Sequence, residues 1–123
     1  MTSACLHLQE RTHAWALSTF GELALEPHER ARRFLEEALE LCQTQGVTHD
    51  EAHRLVDYVF ERPIGEPRQE LGGSMITLLL LAEVLGLDAL GEALREQARV
   101  EQPGMRERMQ AKHARKVQQG VAA

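Results

Sequence analysis

At 123 residues, with 43% hydrophobic and 27% charged side chains, the chain has the make-up of one folded domain, long enough to bury a core without disulfides. Its net charge of −5 is uneven: residues 104–123 carry Arg106, Arg108, Lys112, Arg115 and Lys116 against Glu107, a balance of +4 that leaves −9 on residues 1–103. An acidic body repels a phosphate backbone, which argues against a nucleic-acid binder and leaves the tail as the one stretch suited to phosphate.

The 4% aromatic share, with abundant Leu, Ala and Glu, points to an all-α protein. Cys5 and Cys42 lack a CxxC spacing and fit reduced thiols. The N-terminus shows no basic region followed by an apolar core, and the most apolar run, residues 75–82, is far short of the roughly 20 residues that span a bilayer. A cytoplasmic protein with no membrane partner is expected.

From about residue 6 to residue 20 the apolar positions have loose helical spacing, interrupted by Gly21, with Trp15 and Phe20 as core anchors. Glu26-Pro27 sets proline in a first turn, and Glu29 suits the positive end of the helix dipole, so a second helix is predicted from there to about Gln45, closed by Gly46. Thr48-His49-Asp50-Glu51 reads as a capping box opening a third helix, which stops before Pro63. His49, His53 and Asp57 fall at i, i+4 and i+8, a spacing that a solvated polar face explains better than a metal site.

After the Pro63–Pro67 break, residues 68–85 form the most hydrophobic segment, apolar around most of a helix's circumference. Such a helix belongs at the centre of a bundle or at a subunit interface. Gly72-Gly73 lies inside it at a cost of about 1 kcal/mol per glycine relative to alanine, so a close helix approach or space for a ligand is expected there. Gly86 closes this helix, Asp88 caps a short one from residue 89 to about residue 100, and Gln102-Pro103-Gly104 separates the domain, residues 1–103, from a basic tail, residues 104–123, expected to be partly helical or flexible.

Chemistry concentrates in Glu36-Glu37-Ala38-Leu39-Glu40. On a helix Glu40 shares a face with Glu36 and Glu37, and like charges at this spacing repel by a few tenths of a kcal/mol, about 0.3 per pair. Arg32 and Arg33 one turn earlier, or a divalent cation, would compensate them.

Glu36-Glu37-Ala38-Leu39-Glu40, followed on a later apolar helix by Glu70-Leu71-Gly72-Gly73 and closed by Leu85-Gly86-Leu87-Asp88, resembles the MazG-like all-α nucleoside triphosphate pyrophosphohydrolases over roughly residues 12–100. That family carries EExxE and then ExxD on a helical bundle of about four core helices. The chain departs from it at Gly73, where the family's aspartate stands, and is similar there to a branch with Glu-x-Gly-Gly.

The resemblance implies Mg²⁺, or Mn²⁺, held by Glu37, Glu40 and Glu70, with Glu36 as a further ligand or as the base that orients water. Together these four would be the catalytic set, cleaving NTP or dNTP to the monophosphate and pyrophosphate. Trp15 is a candidate to stack on a base, and Arg99 and Lys112 to meet phosphate. A homodimer or homotetramer is expected, both from the family and from the apolar helix. The alternative is a bundle whose catalysis is impaired at Gly73, serving as a nucleotide-binding or scaffold protein.

Overall fold

The computed structural model describes residues 3–123. It is all-helical, with no strand among the described residues: α1 (Ala4–Phe20), a 3-10 turn (Glu22–Leu25), α2 (Pro27–Thr44), α3 (His49–Phe60), α4 (Pro67–Val84), α5 (Ala89–Val100) and α6 (Met105–Gln118). The chain divides into two compact units, residues 1–33 with 88–123, and residues 34–87.

Local chemistry sets most helix ends. The Thr48 hydroxyl accepts from the Glu51 N–H at 3.2 Å while the Glu51 carboxylate accepts from the Thr48 N–H at 3.4 Å, so two orphan donors of α3 are satisfied reciprocally. Glu66 caps α4 by accepting from the Gln69 N–H at 3.0 Å, with Pro67 in the first turn, and Asp88 caps α5 through the Gly91 N–H at 3.1 Å. At the far end of α4, Gly86 takes a left-handed φ of 70°, which lets Leu87 N–H turn back to Ala82 O at 2.9 Å. The 3-10 turn after Gly21 is not foreshadowed by any periodicity, being only four residues long.

In the first unit α1 packs on α5 and α6, and α5 on α6. The buried residues are Ala16, Thr19, Ala24, Glu29, Gln97, Val100 and Ala122, none of them a large apolar side chain. Trp15 and Phe20, expected as core anchors, are half-buried instead and meet edge to face at 5.6 Å, while the His113 ring lies 5.3 Å from Phe20.

Polar ties complete this unit. The last carbonyls of α1 have no partner within their own helix, and two α6 side chains supply donors. Arg106 donates to Ser18 O and Ser18 Oγ, both at 2.6 Å, and Gln110 donates to Thr19 O at 2.8 Å. A cation at a helix C-terminus is also favoured by the dipole. The segment set apart as a basic tail is therefore, from Met105 to Gln118, a helix bonded to α1.

Its end is held in turn by the first turns of α2. Arg32 donates to Gly120 O at 3.0 Å, Arg33 donates to Val121 O, and the Ala123 N–H donates to Glu29 Oε2 at 3.0 Å. Glu29 is 1% exposed and its other oxygen lies 3.2 Å from Arg33 Nε, so its charge is buried but paired. Burial lowers the pKa of the neighbouring Arg30 guanidinium from its ordinary value, partly offset by Glu29.

The second unit is built differently. It holds the later part of α2, with α3 and α4, and none of its residues is buried. Residues of α4 expected at the centre of a bundle, Leu71, Ile76, Leu79 and Leu80 among them, are exposed. Within the second unit neither α2 nor α3 lies against α4 as α5 and α6 lie against α1 in the first, so the expected bundle centre is not formed there.

Candidate functional site

The acidic stretch is helical throughout, inside α2, so Glu36, Glu37 and Glu40 are brought onto adjoining turns by the 3.6-residue repeat. Glu37 and Glu40 are exposed and make no hydrogen bond or ion pair among the described residues, whereas Glu36 is half-buried and has a partner. The four residues from Gln45 to Thr48 lie outside any helix, so α2 and α3 are separate elements.

Glu70 stands in the first turn of α4, where a carboxylate is favoured by the helix dipole, and its backbone carbonyl accepts from Ser74 Oγ at 2.8 Å. Its carboxylate folds back against Gly65, occupying the space that a Cβ at that position would need. Gly65 is therefore the residue that permits this side-chain position. Gly73, where the resemblance leads one to look for aspartate, has open space where its Cβ would be, as does Gly72.

Within one chain the structure groups the α2 carboxylates and leaves Glu70 on another helix. Among the described residues no three His, Cys, Asp or Glu side chains stand together as a group able to hold a metal ion. The donor set nevertheless has the right chemistry for Mg²⁺, all hard anionic oxygens, with Glu37 and Glu40 uncommitted to any basic side chain.

The remaining charged and aromatic candidates differ in their surroundings. Glu66, one turn before Glu70, is committed to capping α4. Asp57 is exposed on α3, apart from the His49–His53 pair, whose Nε2 atoms lie 3.1 Å apart. Arg99 pairs with Glu96 on α5, Lys112 is exposed on α6, and Trp15 lines a shallow open cleft of about 250 Å³ with Thr19, Val100, Pro103 and Arg106. All three belong to the first unit, whereas Glu37, Glu40 and Glu70 belong to the second.

Two polar constellations escaped the sequence reading. One is the Arg11–Glu101 pair, 90 positions apart, in which Arg11 Nε donates to both Glu101 oxygens at 3.1 and 3.0 Å. Its hydrogen bonds, first to Arg11 and then to Gln97, lower the Glu101 pKa from its ordinary 4.5. The other is the buried Glu29, whose only sequence signal was its place in the first turn of α2. Both tie helices of the first unit together.

No helix by itself is long and apolar enough to cross a membrane among the described residues. No family model, no curated protein and no solved structure matches the chain.

Proposed function

We propose that the chain is a MazG-like, Mg²⁺-dependent nucleoside triphosphate pyrophosphohydrolase, releasing pyrophosphate and the nucleoside monophosphate. One observation carries the reading: Glu37 and Glu40 stand exposed on adjoining turns of α2, without a basic partner among the described residues, followed in the chain by a fourth carboxylate, Glu70, in the first turn of the apolar α4. Isolated carboxylates at this spacing repel, and a divalent cation relieves that repulsion.

Glu37, Glu40 and Glu70 would hold the ion, once α2 and α4 close on each other. The ion supplies Lewis acidity and neutralises the triphosphate, which bare carboxylates would repel. Glu36, half-buried on the same helix, would orient water and take up a proton. Mn²⁺ would serve in the same oxygen donor set. Arg99, Lys112 and Trp15, which belong to the other compact unit, are given no part in this site.

The test is pyrophosphate release from a panel of canonical and modified nucleoside triphosphates, with Mg²⁺, Mn²⁺ or EDTA, using the chain and its Glu40→Gln variant. Metal-dependent turnover that falls by about 100-fold or more in the variant supports the reading, a loss on the scale of removing one charge-stabilising group. Absence of turnover on every substrate from folded protein would overturn it.

Gly73 favours a second reading, a bundle that binds nucleotide or scaffolds a partner without turnover. The aspartate that the resembled family carries at this position is missing. Nucleotide binding measured calorimetrically in the absence of hydrolysis separates the two readings.

A further inference from the structure

The start of α3 carries a pair of imidazoles that the proposed chemistry does not use. His49 and His53 stand one turn apart, and their Nε2 atoms lie 3.1 Å from each other. A straight N–H···N bond would set the two rings end to end, their centres separated by that distance plus a full ring width. The centroids are instead 4.3 Å apart, with the planes inclined at 55°. The rings therefore stand partly side by side and lean together at their Nε2 edges, a poor line for a hydrogen bond. Core packing does not impose this, since the His49 side chain is 84% exposed and His53 is exposed as well.

The same arrangement suits two nitrogens that share one cation. Zn–N bonds of about 2.0 to 2.1 Å at a tetrahedral angle hold their nitrogens roughly 3.3 Å apart. The other nitrogen of one ring is also provided for. Asp50 Oδ1 lies 3.7 Å from His49 Nδ1, near enough for a small side-chain rotation or one water to complete a hydrogen bond. A carboxylate there favours the proton on Nδ1 and leaves Nε2 its lone pair, the usual support of a metal-binding imidazole. Charge works in the same direction, because Asp50 and Glu51 in the first turn offset the helix dipole, which alone would disfavour a cation at this end.

We infer that His49 and His53 form a two-nitrogen site for a borderline transition-metal dication of the Zn²⁺ class, with Asp50 as the positioning residue behind His49. Imidazole takes Zn²⁺, Ni²⁺ or Cu²⁺ in preference to Mg²⁺, so this pair and the carboxylates of the proposed hydrolase select different ions. Among the described residues no third His, Cys, Asp or Glu side chain joins the pair, so water fills the remaining positions. An ion held in this way stays open to a further donor. The i, i+4 spacing by itself is equally that of a solvated face, and it is the convergence of the two Nε2 atoms that separates the readings.

This inference rests on α3 alone and is independent of the hydrolase reading. The test is a titration of the full chain with Zn²⁺ in an excess of Mg²⁺, followed by calorimetry and by the NMR signals of the imidazole rings. A Zn²⁺ ion that moves the signals of His49 and His53 together is expected. His53→Ala should weaken its binding by about tenfold or more, and Asp50→Asn by about tenfold, the low end of the effect of a carboxylate behind a ligating imidazole, both with helicity unchanged. His7→Ala, exposed on α1, should leave the binding as it is. No uptake of Zn²⁺, uptake that leaves either ring signal in place, as at Cys5 or at a lone imidazole, or wild-type affinity in His53→Ala each overturns the inference.

Discussion

Arg11 and Glu101 join α1 to the residue that closes α5 in a fork, with Arg11 Nε within 3.1 Å of both carboxylate oxygens and the guanidinium NH2 also donating. Both side chains are partly open to solvent, so the pair orients the two helices more than it stabilises them. The Glu101 carboxylate also accepts from Gln97 at 3.0 Å, which fixes it from within its own helix.

A pH dependence follows. The folded-state pKa of Glu101 is lowered from 4.5 by the Arg11 hydrogen bond, so its contribution to stability is complete above that value and lost as pH falls through the lower folded one. The Arg11 pKa is raised, farther from any accessible pH. Compared with Glu101→Gln, the wild-type chain should keep a constant small advantage from about pH 5 to 8 and lose it progressively in acid. Denaturant midpoints of both proteins across this range provide the check, and a difference independent of pH would contradict the role given to the pair.

Removing Glu29 should be far more costly. Glu29→Ala leaves the Arg33 guanidinium without its 3.2 Å partner and the Ala123 N–H without its acceptor, in a place that solvent hardly reaches. A loss of about 3 kcal/mol or more is expected, the range for breaking a buried pair from one side, measured by denaturant unfolding. Thr48→Ala, by contrast, breaks an exposed capping box and should cost about 1 kcal/mol.

Those two residues also mark how much the sequence revealed. Thr48, Asp88, Pro27 and Pro67 were legible because a cap or first-turn proline acts within three or four positions, and each stands where it was expected. Arg11–Glu101 and Arg106–Ser18 were not, since 90 and 88 positions separate the partners and nothing in either local pattern names the other. Gly65 went unremarked because its importance depends on where the Glu70 side chain falls. For α4 the sequence supplied the apolar circumference, and the structure leaves Leu71, Ile76, Leu79 and Leu80 of it exposed.

At the candidate site, Gly73→Asp tests whether the missing carboxylate limits the metal. Open space at the Gly73 Cβ position means that the side chain fits without displacing a neighbour, and glycine is the poorer helix former by a few tenths of a kcal/mol, about 0.3. The variant should fold at least as well and reach half-maximal pyrophosphate release at a severalfold lower Mg²⁺ concentration. An unchanged Mg²⁺ titration would show that position 73 lies away from the ion.

Gly65→Ala probes the same site from the opposite side. The added methyl meets the Glu70 carboxylate, a flexible group that swings away, so stability should change by no more than about 1 kcal/mol. Mg²⁺ activation should change nonetheless, because the one carboxylate contributed by α4 has been redirected. Equal Mg²⁺ dependence in both proteins would remove Glu70 from the ligand set.

The first unit is assembled from both ends of the chain, residues 1–33 and 88–123, with the second unit inserted between them. On the ribosome α1 therefore emerges long before α5 and α6, the helices on which it packs. At about 5 to 20 residues per second the delay is several seconds, during which α4 has also emerged with its leucines uncovered. Until those two helices follow, α1 has nothing of its own unit to pack on, so the first unit can close only after the whole of the second has been made.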